Sequence, residues 1–178
     1  GRRHRLHFAA GGTAGHINPG LAIAQHIKSK HPDAEIMFVG RKEGMEYGLV
    51  TKAGYPFCHM EVTGFQRRLT LNNIKRNFIT VKNLLFASAK AKKIINDFKP
   101  DLVIGTGGYV SGPIVLQAAK MGIKTAIHEQ NAFAGVTTKM LSKNVDTVFV
   151  ATEKAAQYMA FPEKCIVCGN PVREEITL

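Results

Sequence analysis

Gly11-Gly12-Thr13-Ala14-Gly15-His16-Ile17-Asn18-Pro19 follows directly on the apolar run Leu6-His7-Phe8-Ala9-Ala10. The pair reads as a strand, a glycine loop and the start of a helix. Glycines at 11, 12 and 15 let the backbone turn sharply and leave room for a ligand beside its N–H groups. Pro19 suits the first turn of a helix, where its missing N–H is no loss, and the pattern predicts a helix over 19–30. The helix N-terminus aims unpaired N–H groups and partial positive charge at the loop, which favours an anion such as phosphate. His16 is the one titratable side chain there. The spacing is neither G-x-G-x-x-G nor a P-loop, since no Gly-Lys-Ser/Thr follows. Taken alone, the stretch is equally well read as a capped β–α turn.

Working outward, apolar runs alternate with helical patterns. Strands are predicted over 4–10, 35–40, 57–62, 101–105, 125–128, 147–151 and 165–168. Helices are predicted over 19–30, 44–53, 72–98, 112–121, 135–142 and 153–159. Such alternation gives an α/β fold: a Rossmann-like parallel sheet of about seven strands with helices on both faces. The strands are near-continuous apolar runs, as strands covered on both faces must be. Ligands of such sheets bind at the carboxyl ends of the strands.

A second glycine loop follows the strand ending at Ile104. It reads Gly105-Thr106-Gly107-Gly108-Tyr109-Val110-Ser111-Gly112-Pro113, with Ser111 as the expected helix N-cap. Two such loops on one sheet present two helix N-termini to one crevice, which suits a pyrophosphate. The next strand ends in His128-Glu129-Gln130-Asn131. Glu129 is a candidate general base, or an orienter of one; the plainer reading is a carboxylate satisfied by backbone N–H groups. His128 reads as a hydrogen-bonded structural histidine.

The 178 residues carry a formal net charge of +11 and are 45% hydrophobic, which excludes disorder and calls for an anionic partner. No segment is long enough to span a membrane and no signal peptide is visible. Residues 62–96 contain no Asp or Glu but hold Arg67, Arg68, Lys75, Arg76, Lys82, Lys90, Lys92 and Lys93. Ile74, Phe78, Val81 and Leu85 form one helical stripe, while Ile79, Leu84 and Phe86 fall off it. With Leu69 and Leu71 the remainder suits an anionic membrane surface, the contact set being Leu69, Leu71, Ile74, Lys75, Arg76, Phe78, Ile79 and Lys82. A broad core face with a solvated basic edge is the plainer reading. No nucleic-acid motif accompanies the charge. Cys165 and Cys168 form a C-x-x-C, but on a strand residues three apart face opposite sides, so the expectation is two unlinked thiols and no metal.

Four motifs in order resemble the MurG family of bacterial N-acetylglucosaminyltransferases: the loop at 11–19, Gly107 to Pro113, His128 to Asn131, and Gly169-Asn170-Pro171-Val172-Arg173. The resemblance implies the GT-B fold, with residues 1–168 as its N-terminal, acceptor- and membrane-binding domain. Residues 169–178 would open the connection to a C-terminal donor domain absent here. It implies inverting transfer of GlcNAc from UDP-GlcNAc to the C4 hydroxyl of MurNAc in lipid I, giving lipid II in peptidoglycan synthesis. His16 and Glu129 would be catalytic. Thr13, Ala14, Gly15, Asn131 and Arg173 would meet the donor. Gly12, Gly107, Gly108, Tyr109 and Ser111 would hold the acceptor pyrophosphate. The implied partners are UDP-GlcNAc, lipid I, the anionic inner face of the cytoplasmic membrane and the chain's own C-terminal domain, with no nucleic acid. No tightly bound cofactor is implied, and Mg2+ dependence stays open. Ala14 stands where the family usually has Gly, so a positive φ there would strain it. Alternatives are another GT-B lipid glycosyltransferase, such as one acting on diacylglycerol, or a non-catalytic anion- and membrane-binding module. The fragment alone is expected to fold without turnover.

Overall fold

The computed structural model describes residues 3–11, 13–60, 87–108, 110–132, 136–157, 159 and 161–171. The strands are β1 (Arg5–Ala10), β2 (Glu35–Gly40), β3 (Phe57–His59), β4 (Leu102–Gly107), β5 (Lys124–Glu129), β6 (Thr147–Val150) and β7 (Cys165–Val167). They form one sheet of seven strands in the order β3-β2-β1-β4-β5-β6-β7, every pair parallel. The helices are α1 (Ala14–Lys30), α2 (Met45–Lys52), α3 (87–98), α4 (Ser111–Lys120), α5 (Val136–Leu141) and α6 (Glu153–Gln157). The parallel α/β architecture read from the sequence is thus the observed one.

Strand alternation divides the core. Leu6, Phe8, Ala10, Ile36, Phe38 and Ile104 face α1 and α2, packing on Ile17, Leu21, Ala24 and Val50. Ala9, Val39, Val103, Ile127 and Val148 face the other way, onto Ala91 and Ile95 of α3 and Ile114, Val115 and Ala118 of α4. Phe8 and Phe38 are register partners and stack at 5.0 Å. Each such buried ring contributes about 2–3 kcal/mol. His7 lies on the α3 face, fully buried and stacked on Phe98 at 4.3 Å, with neither ring nitrogen hydrogen-bonded among the described residues. Burial without a partner pulls its pKa down to about 4.

Two sequence expectations need correction, and a conditional one is settled. Helix α1 begins at Ala14, five residues before Pro19, which therefore lies inside the helix. Thr13 is extended (φ −136°, ψ 155°), so helical turning starts at once after the loop. Ser111 is the first residue of α4 and not its cap; Val110 precedes it, and the Ser111 hydroxyl packs over Gly105, whose missing Cβ makes the space. Ala14 is unstrained, since the only non-glycine with positive φ among the described residues is Lys99. The membrane-contact set from Leu69 to Lys82 lies outside the described residues, as do Gly12, Tyr109 and Arg173.

Candidate active site

The sheet order reverses between β1 and β4: the chain moves outward one way to β2 and β3, then returns to build β4 to β7 on the other side. The crevice at the carboxyl ends of the strands on either side of such a reversal is where ligands of open α/β sheets bind. Both glycine loops emerge there, one after β1 and one after β4. They interlock. The Gly11 N–H donates to the Gly107 carbonyl at 3.2 Å, and a Cβ on Gly108 would collide with the Gly11 carbonyl. Gly107 and Gly108 adopt φ of +118° and +87°, conformations that side-chain-bearing residues rarely take.

His16 sits half-buried on the first turn of α1. Its Nδ1 lies 3.1 Å from the Gly11 carbonyl and 3.3 Å from Thr13 Oγ1. A carbonyl only accepts, so Nδ1 carries a proton, and in the neutral ring Nε2 carries the lone pair. Nε2 has no protein partner among the described residues. From below, the Thr106 hydroxyl donates to the His16 carbonyl at 2.6 Å. Pro19, inside the helix, lacks the N–H that would bond the Gly15 carbonyl one turn back.

Thr13 and Gly15 are exposed beside His16, and Ala14 is half-buried. Gly107 and Gly108 lie against the same turn. Ser111 is buried and so stands beneath the loop rather than on its surface. Asn131 is exposed at the end of β5.

Glu129 is buried and fully engaged. One carboxylate oxygen accepts from the Asn131 N–H at 3.1 Å and Asn131 Nδ2 at 3.2 Å, the other from the Thr138 hydroxyl at 2.6 Å. These bonds tie the β5 loop to α5. His128 is also buried: Nδ1 accepts from Gln130 Nε2 at 2.9 Å and Nε2 donates to the Gly169 carbonyl at 3.1 Å. Burial lowers its pKa, opposed by the Gly169 carbonyl and the Glu129 charge. It is the structural histidine that the sequence suggested.

Thr106 of the second glycine loop completes the site, together with Thr138 and Glu46, which no motif marks. Glu46 is fully buried behind the first loop; Oε1 accepts from the Arg41 N–H at 2.9 Å and lies 3.4 Å from where a Cβ on Gly11 would be. The Cys165 and Cys168 thiols turn to different carbonyls, those of Phe161 and of Val150 and Gly169. Burial raises both thiol pKa values. No cluster of His, Cys, Asp and Glu able to hold a metal occurs among the described residues. Two open cavities, about 630 and 510 Å3, lie at the opposite, amino ends of the strands, lined by residues such as Asp101 and Lys124 or Asp33 and Tyr55. They touch none of the residues above.

Residues 6–150 match the glycosyltransferase family 28 N-terminal domain. A relative from Acetivibrio thermocellus is 49% identical over 169 residues, covering 95% of this chain and 45% of its own length. It is named UDP-N-acetylglucosamine–N-acetylmuramyl-(pentapeptide) pyrophosphoryl-undecaprenol N-acetylglucosamine transferase. A relative of the same name from Listeria monocytogenes is 46% identical over 172 residues, covering 97% of this chain and 46% of its own length. Among solved structures, MurG of Acinetobacter baumannii is similar with a TM-score of 0.77 and 28% identity, over 94% of this chain and 46% of that one. A UDP-GlcNAc 2-epimerase from Neisseria meningitidis, solved with UDP-GlcNAc, has a TM-score of 0.66 at 15% identity, over 93% of this chain and 46% of that one, a likeness of fold alone. The chain spans about half the length of the curated relatives it matches. With the family's domain covering the sheet from β1 through β6, this chain belongs to glycosyltransferase family 28.

Proposed function

We propose that this chain is the acceptor-side half of an inverting glycosyltransferase that moves GlcNAc from UDP-GlcNAc to the C4 hydroxyl of MurNAc in lipid I. The observation that carries the reading is His16: Nδ1 anchored on the Gly11 carbonyl, Nε2 left as an acceptor, and the ring placed at the switch point between two glycine loops. An inverting transfer is one in-line displacement. Nε2 takes the proton of the acceptor hydroxyl as its oxygen attacks the anomeric carbon, and the bond to UDP breaks with its electron pair leaving on the phosphate. The amides heading α1 and α4 oppose the negative charge of the lipid pyrophosphate and the departing nucleotide. Glu129, with one oxygen bonded to Asn131 and the other to Thr138 of α5, acts by holding Asn131 in place rather than as the base. Thr13, Ala14, Gly15 and Asn131 face the donor, together with Arg173. Gly12, Gly107, Gly108 and Tyr109 receive the acceptor, with Ser111 supporting the loop from beneath.

The donor is held mainly by a C-terminal domain to which the segment from Gly169 leads. The basic segment 62–96 docks on the anionic inner face of the cytoplasmic membrane, where the polyprenyl tail is buried. Its described part supports this: Lys90, Lys92 and Lys93 of α3 are exposed, while Ala87, Ala91 and Ile95 pack inward. No described helix is long and apolar enough to cross a membrane.

The test is to join this chain to a C-terminal half and assay UDP-GlcNAc with a lipid I analogue. His16→Ala is expected to lower kcat by 100-fold or more, in line with loss of a general base. Transfer at the unmodified rate by His16→Ala overturns the assignment. Measurable transfer by the 178 residues alone overturns the need for a second domain.

A further inference from the structure

The second glycine loop and the segment at Gly169 are joined by an unbroken run of hydrogen bonds that the transfer chemistry does not use. It starts from a slip in the sheet. Ala9 pairs with Gly105 but Ala10 pairs with Gly107, so Thr106 is an extra residue with no partner on β1. On the other side, the pairing of β4 with β5 stops at Gly105 and Ile127. The Thr106 carbonyl thus falls outside both ladders although the residue is fully buried. A buried carbonyl needs a donor.

Gln130 supplies it. Its Nε2 donates to the Thr106 carbonyl at 2.8 Å. The other N–H points at His128, with Nδ1 at 2.9 Å and the backbone carbonyl at 3.0 Å. An amide nitrogen donates only, so His128 Nδ1 is the acceptor and Nε2–H donates to Gly169 at 3.1 Å. The Gln130 backbone carbonyl also accepts from Asn170 Nδ2, at 3.4 Å. At the other end the Thr106 hydroxyl reaches the His16 carbonyl. One amide group therefore touches both sides: through Thr106 the turn that bears His16, and through His128 the point where the chain leaves the sheet.

We propose that Gln130 is a positioning residue that holds the His16 turn and the chain's exit at Gly169 in one fixed relation. The catalytic part of this inference rests on the reading of His16 given above; the coupling does not. Gly169 turns there with φ +73° and open space around it, so its own backbone does not fix the direction of exit. The clasp does.

Gln130→Met keeps length and removes both donors. Amide hydrogen exchange reads the two ends. Gly11 N–H bonds to Gly107, and Cys168 N–H bonds to Val150 at 2.9 Å. Both amides are expected to exchange at least tenfold faster in the variant, with the Phe8 amide in β1 unchanged. Imidazole 15N shifts should show His128 passing from the single Nε2-protonated form to a mixture. Faster exchange at one end only, at neither end, or equally at Phe8 overturns the coupling. In the two-domain protein, Gln130→Met is expected to lower kcat about tenfold while each KM moves less than twofold. An unchanged kcat overturns the positioning role. If the unmodified two-domain protein transfers no sugar, the functional reading fails while the exchange result still decides the clasp.

Discussion

Gly107 lies flat against the imidazole of His16: a Cβ added to it would stand 2.5 Å from Cδ2 and 2.9 Å from Nε2 of the ring. The glycine leaves the histidine its place, and its φ of +118° is the second reason no other residue fits.

Gly107→Ala is therefore expected to act twice. The backbone strain costs about 1–3 kcal/mol, and the methyl displaces the His16 ring. Gly54→Ala is the control, because Gly54 also has positive φ (+87°) but nothing within 4 Å of its added Cβ. Chemical denaturation should show loss of stability in both variants. Only Gly107→Ala should shift the His16 ring resonances and lower transfer in the two-domain protein, by tenfold or more.

Ala14 offers a test of sign. If it occupied a left-handed turn, Ala14→Gly would relieve strain and stabilise. It is instead the first residue of α1 with ordinary φ. Ala14→Gly should therefore destabilise by about 0.5 kcal/mol, through the backbone entropy glycine loses in a helix. A rise in Tm would contradict the helix start seen here.

His7 sets an acid limit on stability. Burial holds its folded pKa at about 4, below the 6.5 of a free imidazole, so between those values the unfolded chain binds a proton that the folded chain does not. Stability is then full above pH 6.5 and falls as pH drops toward 4, by about 3 kcal/mol in all. Unfolding free energies from urea titrations at pH 7 and pH 5 should differ by about 2 kcal/mol from this group, and His7→Phe should remove that part of the difference.

Glu129 and His16 should separate by the kind of damage. Glu129→Gln keeps a carbonyl for Asn131 and leaves an amide beside the Thr138 hydroxyl, which can accept as well as donate. It should retain transfer within about tenfold and lower stability by about 1 kcal/mol. Glu129→Ala leaves Asn131 and Thr138 without their acceptor and should lower stability by about 2–3 kcal/mol. A loss of kcat in Glu129→Gln as deep as in His16→Ala, with stability unchanged, would move the base to Glu129.

The sequence alone determined the sheet. Runs such as Glu35–Gly40 and Thr147–Val150 are apolar enough to be buried on both faces, and their spacing leaves room only for a crossover helix, so a parallel α/β fold follows. It also marked the two glycine loops and the cluster from His128 to Asn131, because glycines and polar residues at strand ends interrupt that pattern. Tertiary structure decided what these residues do to one another. The strand order put the loops after β1 and β4 side by side, although nearly a hundred residues separate them. The slip at Thr106, invisible as a spacing, released the carbonyl that Gln130 takes. The same holds for the start of α1. Pro19 signals a helix boundary by its missing N–H, but the preceding turn is closed by His16 and Ile17 N–H groups on the Thr13 carbonyl and supported by Thr106 from another strand. Local chemistry fixes which residues are able to turn or donate; which partner meets each of them depends on strands distant in the chain, and only packing brings those together.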